Sequence, residues 1–323
     1  MKTNRIIIIS SLVFLTLAIF VTHIYVLNNK CNTSNFKYLN PDLVCRNDFV
    51  VSKKAYASLK SSIKDIIDIK IKDKEITNAS IYFRDLQNGP TFGINEYEKF
   101  SPASLLKLPL LITYLNLQDD NPNLLQTQIG FDNVEDSLEQ YFPSKISATQ
   151  NTPYKIQDLL SYMIQYSDNN SYYALREYLK VIDPRKDLLQ QTFIDLGIID
   201  PKDFTDQTIS VKAYSSIFIQ LYYNSFLTNN KLSEEALDML AKSDFDKGIV
   251  QGLPVGIQVA HKFGEREDLP NGEKQLHDCG IVYYSNNPYL LCVMTRGKDF
   301  DKLSSFIGLI SEMVYKEFDS RKL

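Results

Sequence analysis

Three short groups of residues carry side chains that could act together on an acyl group. The first is Ser104-Leu105-Leu106-Lys107. A serine and a lysine three positions apart lie on one face of a helix, so the amine can take the hydroxyl proton. The positive N-terminus of that helix would favour an incipient alkoxide and, through free backbone N–H groups, an oxyanion. The pair therefore predicts an activated serine nucleophile.

A second pair with the same spacing, Ser61 and Lys64, has different surroundings. It lies in an amphipathic, lysine-rich segment, which is typical of a solvated helix face. Ser104 and Lys107 instead follow Pro102 and are embedded in an apolar run. A polar pair in such a run needs a specific role, so the sequence favours Ser104 as the nucleophile.

The second group is Ser167-Asp168-Asn169, at the junction of two predicted helices. A loop there can direct a hydroxyl and an amide into a cleft, for proton relay and for binding a substrate amide. The alternative is a helix N-cap, a position that all three residue types favour. Residues 285–287 (Ser-Asn-Asn) also fit the pattern, but they fall in a predicted hairpin turn.

The third group is His261-Lys262-Phe263-Gly264, at the end of a short predicted strand and followed by Glu265 and Arg266. A lysine on an inner strand suits electrostatic binding of a substrate carboxylate, and the glycine lets a substrate backbone come close. The alternative is an edge-strand lysine that protects against aggregation.

The order of the three groups resembles that of class A β-lactamases and penicillin-binding D,D-peptidases. The segments 100–107 and 252–262 also resemble the family, and the likeness extends over about residues 50–323. The resemblance implies an α/β (mixed α+β) fold of the β-lactamase/transpeptidase type. An antiparallel sheet would be flanked by helices, with an all-helical subdomain and the active site between the two.

The resemblance also implies roles for individual residues. Ser104 would be the acylated nucleophile, Lys107 its base and Ser167 the proton relay to the leaving nitrogen. Asn169 and Lys262 would bind the acyl side-chain amide and the substrate carboxylate. Gly264 and Glu265 complete the substrate-binding set, and the backbone N–H groups of Ser104 and Glu265 would form the oxyanion hole. The implied substrate is a small-molecule β-lactam or a peptidoglycan-type peptide, with no cofactor and no metal.

Two departures from the family pattern bear on activity. Phe263 stands where the family has Thr or Ser, so a hydroxyl that helps hold the substrate carboxylate is missing, a loss of about 1.5–3 kcal/mol. Residues 196–210 contain no Glu, the residue with which class A enzymes activate the deacylating water. Asp200, Asp203 or Asp206 could replace it, although Asp206 better matches a structural aspartate.

These departures leave three functions open. A β-lactamase would open and release β-lactams, whereas a D,D-peptidase-like enzyme would be acylated by cell-wall peptides and only inhibited by β-lactams. A catalytically altered binding protein is the third, but the five polar residues retained at the site argue against it. We expect acyl-serine chemistry in either of the first two cases.

The predicted elements place these groups in one domain. Strands at both ends with helices between them indicate one sheet of mixed strand direction, built from distant parts of the chain. Helices are predicted at 55–71, 104–117, 152–166 (opened by Thr152-Pro153), 170–181, 211–226, 233–242 and 300–318, and strands at 79–85, 91–95, 258–264, 277–285 and 289–296.

The N-terminus predicts a membrane anchor. Residues 6–27 contain no Asp, Glu, Lys or Arg, and about 20 apolar residues cross a bilayer. Lys2 and Arg5 precede them, which favours a cytoplasmic segment 1–5, an anchor 6–27, a tether 28–50 and a hydrolase domain 51–323 outside the cytoplasm, at the cell membrane. A cleaved signal peptide is the alternative, but no small-x-small site closes the stretch.

Composition excludes other classes of protein. A formal net charge of −4 gives no basic surface for nucleic acid. Three His and four Cys without Cys-x-x-Cys or His-x-x-x-His spacing make a metal centre unexpected. Outside the cytoplasm Cys279 could pair with Cys292 across a hairpin, and Cys31 with Cys45, or all four could be free thiols. We expect a monomer.

Overall fold

The computed structural model describes residues 36–40, 56–87, 89–132, 140–198, 208–268, 272–284 and 287–320. The helices are α1 (Ala57–Lys72), α2 (Lys107–Asp120), α3 (Ile156–Gln165), α4 (Asn169–Ile182), α5 (Leu188–Asp195), α6 (Val211–Tyr222), α7 (Asn230–Ala241) and α8 (Phe300–Ser320). The strands are β1 (Asn78–Asp85), β2 (Thr91–Ile94), β3 (Lys99–Phe100), β4 (Gln128–Ile129), β5 (Tyr154–Lys155), β6 (Ile209–Ser210), β7 (Val259–Asp268), β8 (Glu273–Val282) and β9 (Tyr289–Gly297).

Five strands form the main sheet in the order β2-β1-β9-β8-β7, and every neighbouring pair is antiparallel. The antiparallel sheet implied by the resemblance is therefore confirmed, and the mixed strand direction expected from element order is wrong. Only a few residues separate β7 from β8 and β8 from β9 along the chain, which favours antiparallel pairing. The chain forms β1 and β2 of the sheet first, then the helical subdomain, and then β7, β8 and β9. As a result β1 pairs with β9, which comes from the other end of the domain sequence.

Two apolar cores cover the two faces of this sheet. On one face α1 and α8 pack through residues such as Ile63 and Ile307. On the other face lies the helical subdomain, centred on α2, which is buried on nearly all sides. A helix that is apolar all round must lie inside a protein. Because α2 begins at Lys107, its burial also fixes the position of the predicted base.

Most predicted elements are confirmed within a few residues, and the differences are local. The segment predicted as helix from 104 begins with a 3₁₀ turn, Ala103–Leu106, before α2. Thr152-Pro153 does not open a helix, because the chain first forms β5 and α3 begins only at Ile156. The short helix α5 was not predicted.

The N-terminal part of the chain is described only at residues 36–40. These five residues belong to the predicted tether and lie against the domain. The Glu234 carboxylate accepts hydrogen bonds from the backbone N–H groups of Lys37, Tyr38 and Leu39. Tyr38 is buried, with its ring 5.3 Å from that of Tyr283. The predicted anchor 6–27 lies outside the described residues. Among those that are described, none of the helices has the length and apolar character needed to span a membrane.

Of the two alternatives left open for Cys279 and Cys292, the structure shows pairing. The two residues face each other across β8 and β9 and form a disulfide. The other possible pair, Cys31 and Cys45, lies outside the described residues.

Candidate active site

The segment that carries Ser104 is a strained turn. Ala103, the residue before it, has φ of +47°, a left-handed conformation that costs an alanine about 1–2 kcal/mol. The turn is closed by the Leu105 N–H, which donates to the Pro102 carbonyl at 3.0 Å. From α6, the Tyr214 hydroxyl donates to the Leu105 carbonyl at 3.1 Å. Contacts from the rest of the domain therefore impose the backbone from which Ser104 projects.

Side chains of the sheet hold the same segment at Ser101. Gln275 accepts the Ser101 N–H at 3.0 Å, and Arg266 donates to the Ser101 hydroxyl at 2.7 Å. His277 Nε2 lies 2.9 Å from the Ser101 carbonyl, which can only accept, so this nitrogen carries the proton. These three contacts were not predicted, because each residue lies more than 150 positions from Ser101 and no local spacing marks the contact.

His277 holds its place as a neutral ring. It is completely buried, and burial lowers its pKa to about 4. The Thr295 N–H approaches Nδ1 at 3.4 Å, which agrees with a proton on Nε2 alone. The nucleophile turn is thus attached to β8 through a histidine that stays uncharged near neutral pH.

Lys107 lies at the centre of the candidate site. Its Nζ is 3.1 Å from Ser104 Oγ, 2.5 Å from the Ser167 carbonyl oxygen and 2.7 Å from Asn169 Oδ1. Burial, and then the nearby Lys262, hold the pKa of Lys107 well below its usual value. A neutral amine has two N–H groups and one lone pair. The two carbonyl oxygens can take the N–H groups, which leaves the lone pair for the Ser104 hydroxyl.

Ser167 links the two lysines. Its hydroxyl oxygen is 3.2 Å from Lys107 Nζ and accepts a hydrogen bond from Lys262 Nζ at 2.9 Å. Its φ of +55° is a second left-handed position, and with this backbone both its carbonyl and its hydroxyl reach Lys107. Backbone strain of this kind is concentrated at functional sites. The result is a continuous polar chain from Ser104 through Lys107 and Ser167 to Lys262.

The second motif, Ser167-Asp168-Asn169, is both a helix N-cap and a part of the candidate site. Asp168 is the N-cap of α4, and its carboxylate accepts the Ser171 N–H at 2.9 Å. It also accepts the Ser147 hydroxyl and the Ala148 N–H, at 2.5 and 3.1 Å. Asp168 therefore fixes the junction, while its neighbours Ser167 and Asn169 contact Lys107.

Lys262 lies on an edge strand, β7, and not on the predicted inner strand. The helical subdomain covers this edge, so Lys262 is 0% exposed and does not act as a solvated protecting charge. Its Nζ donates to Ser167 Oγ and to the Phe263 carbonyl, each at 2.9 Å. Burial lowers the pKa of Lys262 to about 7.

Gly264 brings β7 against the nucleophile turn. A Cβ atom there would lie 3.1 Å from Leu105 N and from the Pro102 carbonyl oxygen, closer than most real contacts. Because a side chain at position 264 would crowd the nucleophile turn, glycine lets β7 and this turn pack closely together. The approach places Glu265 next to the turn that carries Ser104.

Phe263 and Glu265 share the opposite side of β7, since alternate residues of a strand face the same way. The Phe263 ring stacks on Phe245, with centroids 3.8 Å apart, and Lys262 Nζ lies 4.4 Å from its centroid. The Glu265 carboxylate accepts the Phe142 N–H at 3.1 Å, and burial raises its pKa. Sequence analysis assigned Glu265 a backbone role and did not foresee this position of its side chain.

The other candidates lie apart from the site or outside the described residues. Ser61 and Lys64 are exposed on α1, as a solvated face requires. Asp200, Asp203 and Asp206 lie in 199–207, and Ser285 and Asn286 also lie outside the described part of the chain. Within that part, no three His, Cys, Asp or Glu side chains come together as a metal site.

The sequence model of the beta-lactamase enzyme family matches residues 58–318, which includes every residue of this site. The chain belongs to the beta-lactamase enzyme family. No curated protein matches the chain in sequence.

Solved structures of this family share the fold at low sequence identity. A PBP-A variant in acyl-enzyme complex with penicillin G has a TM-score of 0.65 and 22% identity, over 82% of this chain and 97% of that chain. The TLA-1 extended-spectrum beta-lactamase gives 0.66 and 20%, over 82% and 99%. A class A beta-lactamase from Mycobacterium abscessus gives 0.65 and 19%, over 80% and 99%. These similarities establish a β-lactamase-like fold.

Proposed function

We propose that this protein is a serine hydrolase that opens β-lactam-type amide bonds through an acyl intermediate on Ser104. The observation that supports this most strongly is the polar chain from Ser104 through Lys107 and Ser167 to Lys262, with both amines buried. Buried lysines with lowered pKa are poised for proton transfer rather than for solvation.

Acylation follows from this arrangement. Ser104 Oγ attacks the carbonyl carbon of the scissile amide while its proton passes to the neutral Lys107 amine. The backbone N–H groups of Ser104 and Glu265 would stabilise the oxyanion. The C–N bond then breaks as Ser167 gives its proton to the leaving nitrogen and is reprotonated from Lys107. The hydrogen bond from Lys262 keeps the Ser167 hydroxyl directed into this path.

Release of the acyl group separates the proposal from its main alternative. Residues 196–210 contain no Glu to activate a deacylating water. This absence favours a D,D-peptidase-like enzyme that cell-wall peptides acylate and β-lactams inhibit. The TM-scores to PBP-A and to class A enzymes are nearly equal, so fold similarity does not separate the two functions.

The proposed location is the cell membrane, with a monomeric catalytic domain outside the cytoplasm. The uncharged stretch 6–27 after Lys2 and Arg5 supports an anchor of this orientation. The disulfide between Cys279 and Cys292 agrees with an oxidising compartment.

Intact-mass spectrometry of the full-length protein with a penicillin, and separately with the methyl ester of that penicillin, tests the proposal. We expect a mass increase of one β-lactam in the wild type and none in Ser104→Ala. A transient adduct with accumulating hydrolysed drug supports the hydrolase, and a persistent one supports the peptidase-like alternative. The same adduct in Ser104→Ala, or no adduct with either compound, contradicts acyl-serine chemistry at this site.

A further inference from the structure

The charges around Ser104 bear on which acyl donors the site accepts, an inference that rests on the proposed function. Two lysines and two carboxylates, Asp168 and Glu265, surround the polar chain. The Asp168 carboxylate is occupied by N–H groups at the start of α4 and by the Ser147 hydroxyl and the Ala148 N–H. The groups that remain to act on a substrate are therefore Lys262 and Glu265, on opposite sides of β7.

Lys262 is already engaged inside the protein. Its amine donates to the Ser167 hydroxyl and to the Phe263 carbonyl oxygen, and its Nζ lies 4.4 Å from the centroid of the Phe263 ring, within cation–π distance. The side chain is 0% exposed, so a substrate anion could reach it only by displacing one of these contacts.

The Glu265 carboxylate lies on the side of β7 opposite to the contact between Gly264 and the nucleophile turn, within electrostatic range of Lys107 and Lys262. Two contacts with the Phe142 N–H, at 3.1 and 3.2 Å, hold it in position. A substrate carboxylate beside it would force two like charges together or force one of them to take up a proton, and both are unfavourable. A neutral or cationic group meets no such penalty, and a cation would be attracted.

Phe142 and Phe263 pack together on this side of β7. Their rings lie edge to face, with centroids 6.3 Å apart, and Phe245 stacks on Phe263, which is 3% exposed. A buried phenyl ring at position 263 offers a substrate anion no hydrogen bond. Glu265 therefore has aromatic neighbours here, and position 263 provides no hydroxyl to bind a carboxylate.

Besides Lys262, the cationic residue of β7 near the nucleophile turn is Arg266, which could bind a substrate carboxylate. It is exposed and donates to the Ser101 hydroxyl, and by strand alternation it lies on the side of β7 opposite to Glu265. Its guanidinium is used to hold the nucleophile segment. Arg266→Ala is therefore one of the variants to be measured, because a substrate carboxylate could recruit this guanidinium instead.

We propose that Glu265 is a specificity-determining residue, and that the site selects acyl donors bearing a neutral or cationic group, against a carboxylate, beside the scissile amide. The probes are one β-lactam scaffold in three forms: the free carboxylate, its methyl ester and an amide ending in a primary amine. The rate of Ser104 acylation is measured for each by intact mass. We expect the carboxylate to react at least about tenfold more slowly than the ester, and the amine form to react at least as fast as the ester.

Glu265→Gln is the decisive variant, because Gln keeps an acceptor for the Phe142 N–H and removes only the charge. It should reduce the ester-to-carboxylate rate ratio about tenfold. Glu267→Gln is the matched control, since Glu267 is exposed on the same side of the same strand and its charge is screened. It should leave the ratio unchanged.

Three results would overturn the inference: a carboxylate that reacts fastest in the wild type, an unchanged ratio in Glu265→Gln, or a selective loss of the carboxylate reaction in Arg266→Ala. Failure of the proposed function looks different. In that case none of the three probes labels the wild type, or all three label Ser104→Ala equally.

Discussion

Replacing Lys262 by Met should stabilise the protein while it impairs acylation. Burial lowers the pKa of Lys262 from an ordinary 10.5 to about 7. At about 1.4 kcal/mol per pKa unit, keeping this amine charged below pH 7 costs about 5 kcal/mol. Met fills a similar volume but gives up two hydrogen bonds from a charged amine, worth about 1.5 kcal/mol each. The variant should therefore be about 2 kcal/mol more stable than the wild type at pH 6.

The pH dependence of this difference is the sharper test. Between pH 7 and 10.5 the unfolded chain keeps a proton on Lys262 that the folded chain has lost, so wild-type stability rises with pH. The advantage of Lys262→Met should shrink by up to about 1.4 kcal/mol per pH unit above pH 7 and reach zero at about pH 8.5. Urea unfolding of the full-length protein from pH 6 to 9.5 measures it. Lys302→Met, at an exposed position on α8, is the control and should change little at any pH. A Lys262→Met protein that is less stable at pH 6, by an amount independent of pH, would refute the reasoning.

Two further predictions concern the residues that hold the site and the N-terminal segment. Wild-type stability should fall by up to about 3 kcal/mol between pH 6.5 and 4, because unfolded His277 takes up a proton that the buried ring, with its pKa of about 4, does not. In urea titrations His277→Gln, which keeps a donor for the Ser101 carbonyl, should flatten this part of the curve, and an unchanged slope would contradict the assignment. Glu234→Ala should destabilise the contact of residues 36–40 by about 2 kcal/mol, since three backbone N–H groups lose a charged acceptor. Limited proteolysis should then cut after Lys37 faster than in the wild type, and equal rates would show that the segment is held by other contacts.

The residues that the structure brings together could be predicted because their signals are local. Ser104 and Lys107 are one helical turn apart, and Ser167 and Asn169 flank a helix cap. Their order along the chain with Lys262 was enough to suggest a common site. Spacing alone could not place Lys262 on an edge strand, because the cover over β7 comes from helices far away in sequence.

The parts that sequence analysis missed depend on long-range contacts. Gln275 and His277 act on Ser101 across the fold, and their alternation on β8 looks like that of any strand. The Phe142 contact of Glu265 arises from an irregular segment with no periodic pattern. The start of α3 was misplaced because Thr152-Pro153 is a good capping signal, whereas pairing of β5 with β4 kept the chain extended.

Peptide mapping of the protein after brief exposure to a neutral β-lactam ester tests the central claim most directly. If the lone pair of Lys107 activates Ser104, the label lies on Ser104 and forms faster as pH rises through the lowered pKa of Lys107. Label on Ser167 or Ser61, or a rate on Ser104 that persists in Lys107→Met, would contradict the account.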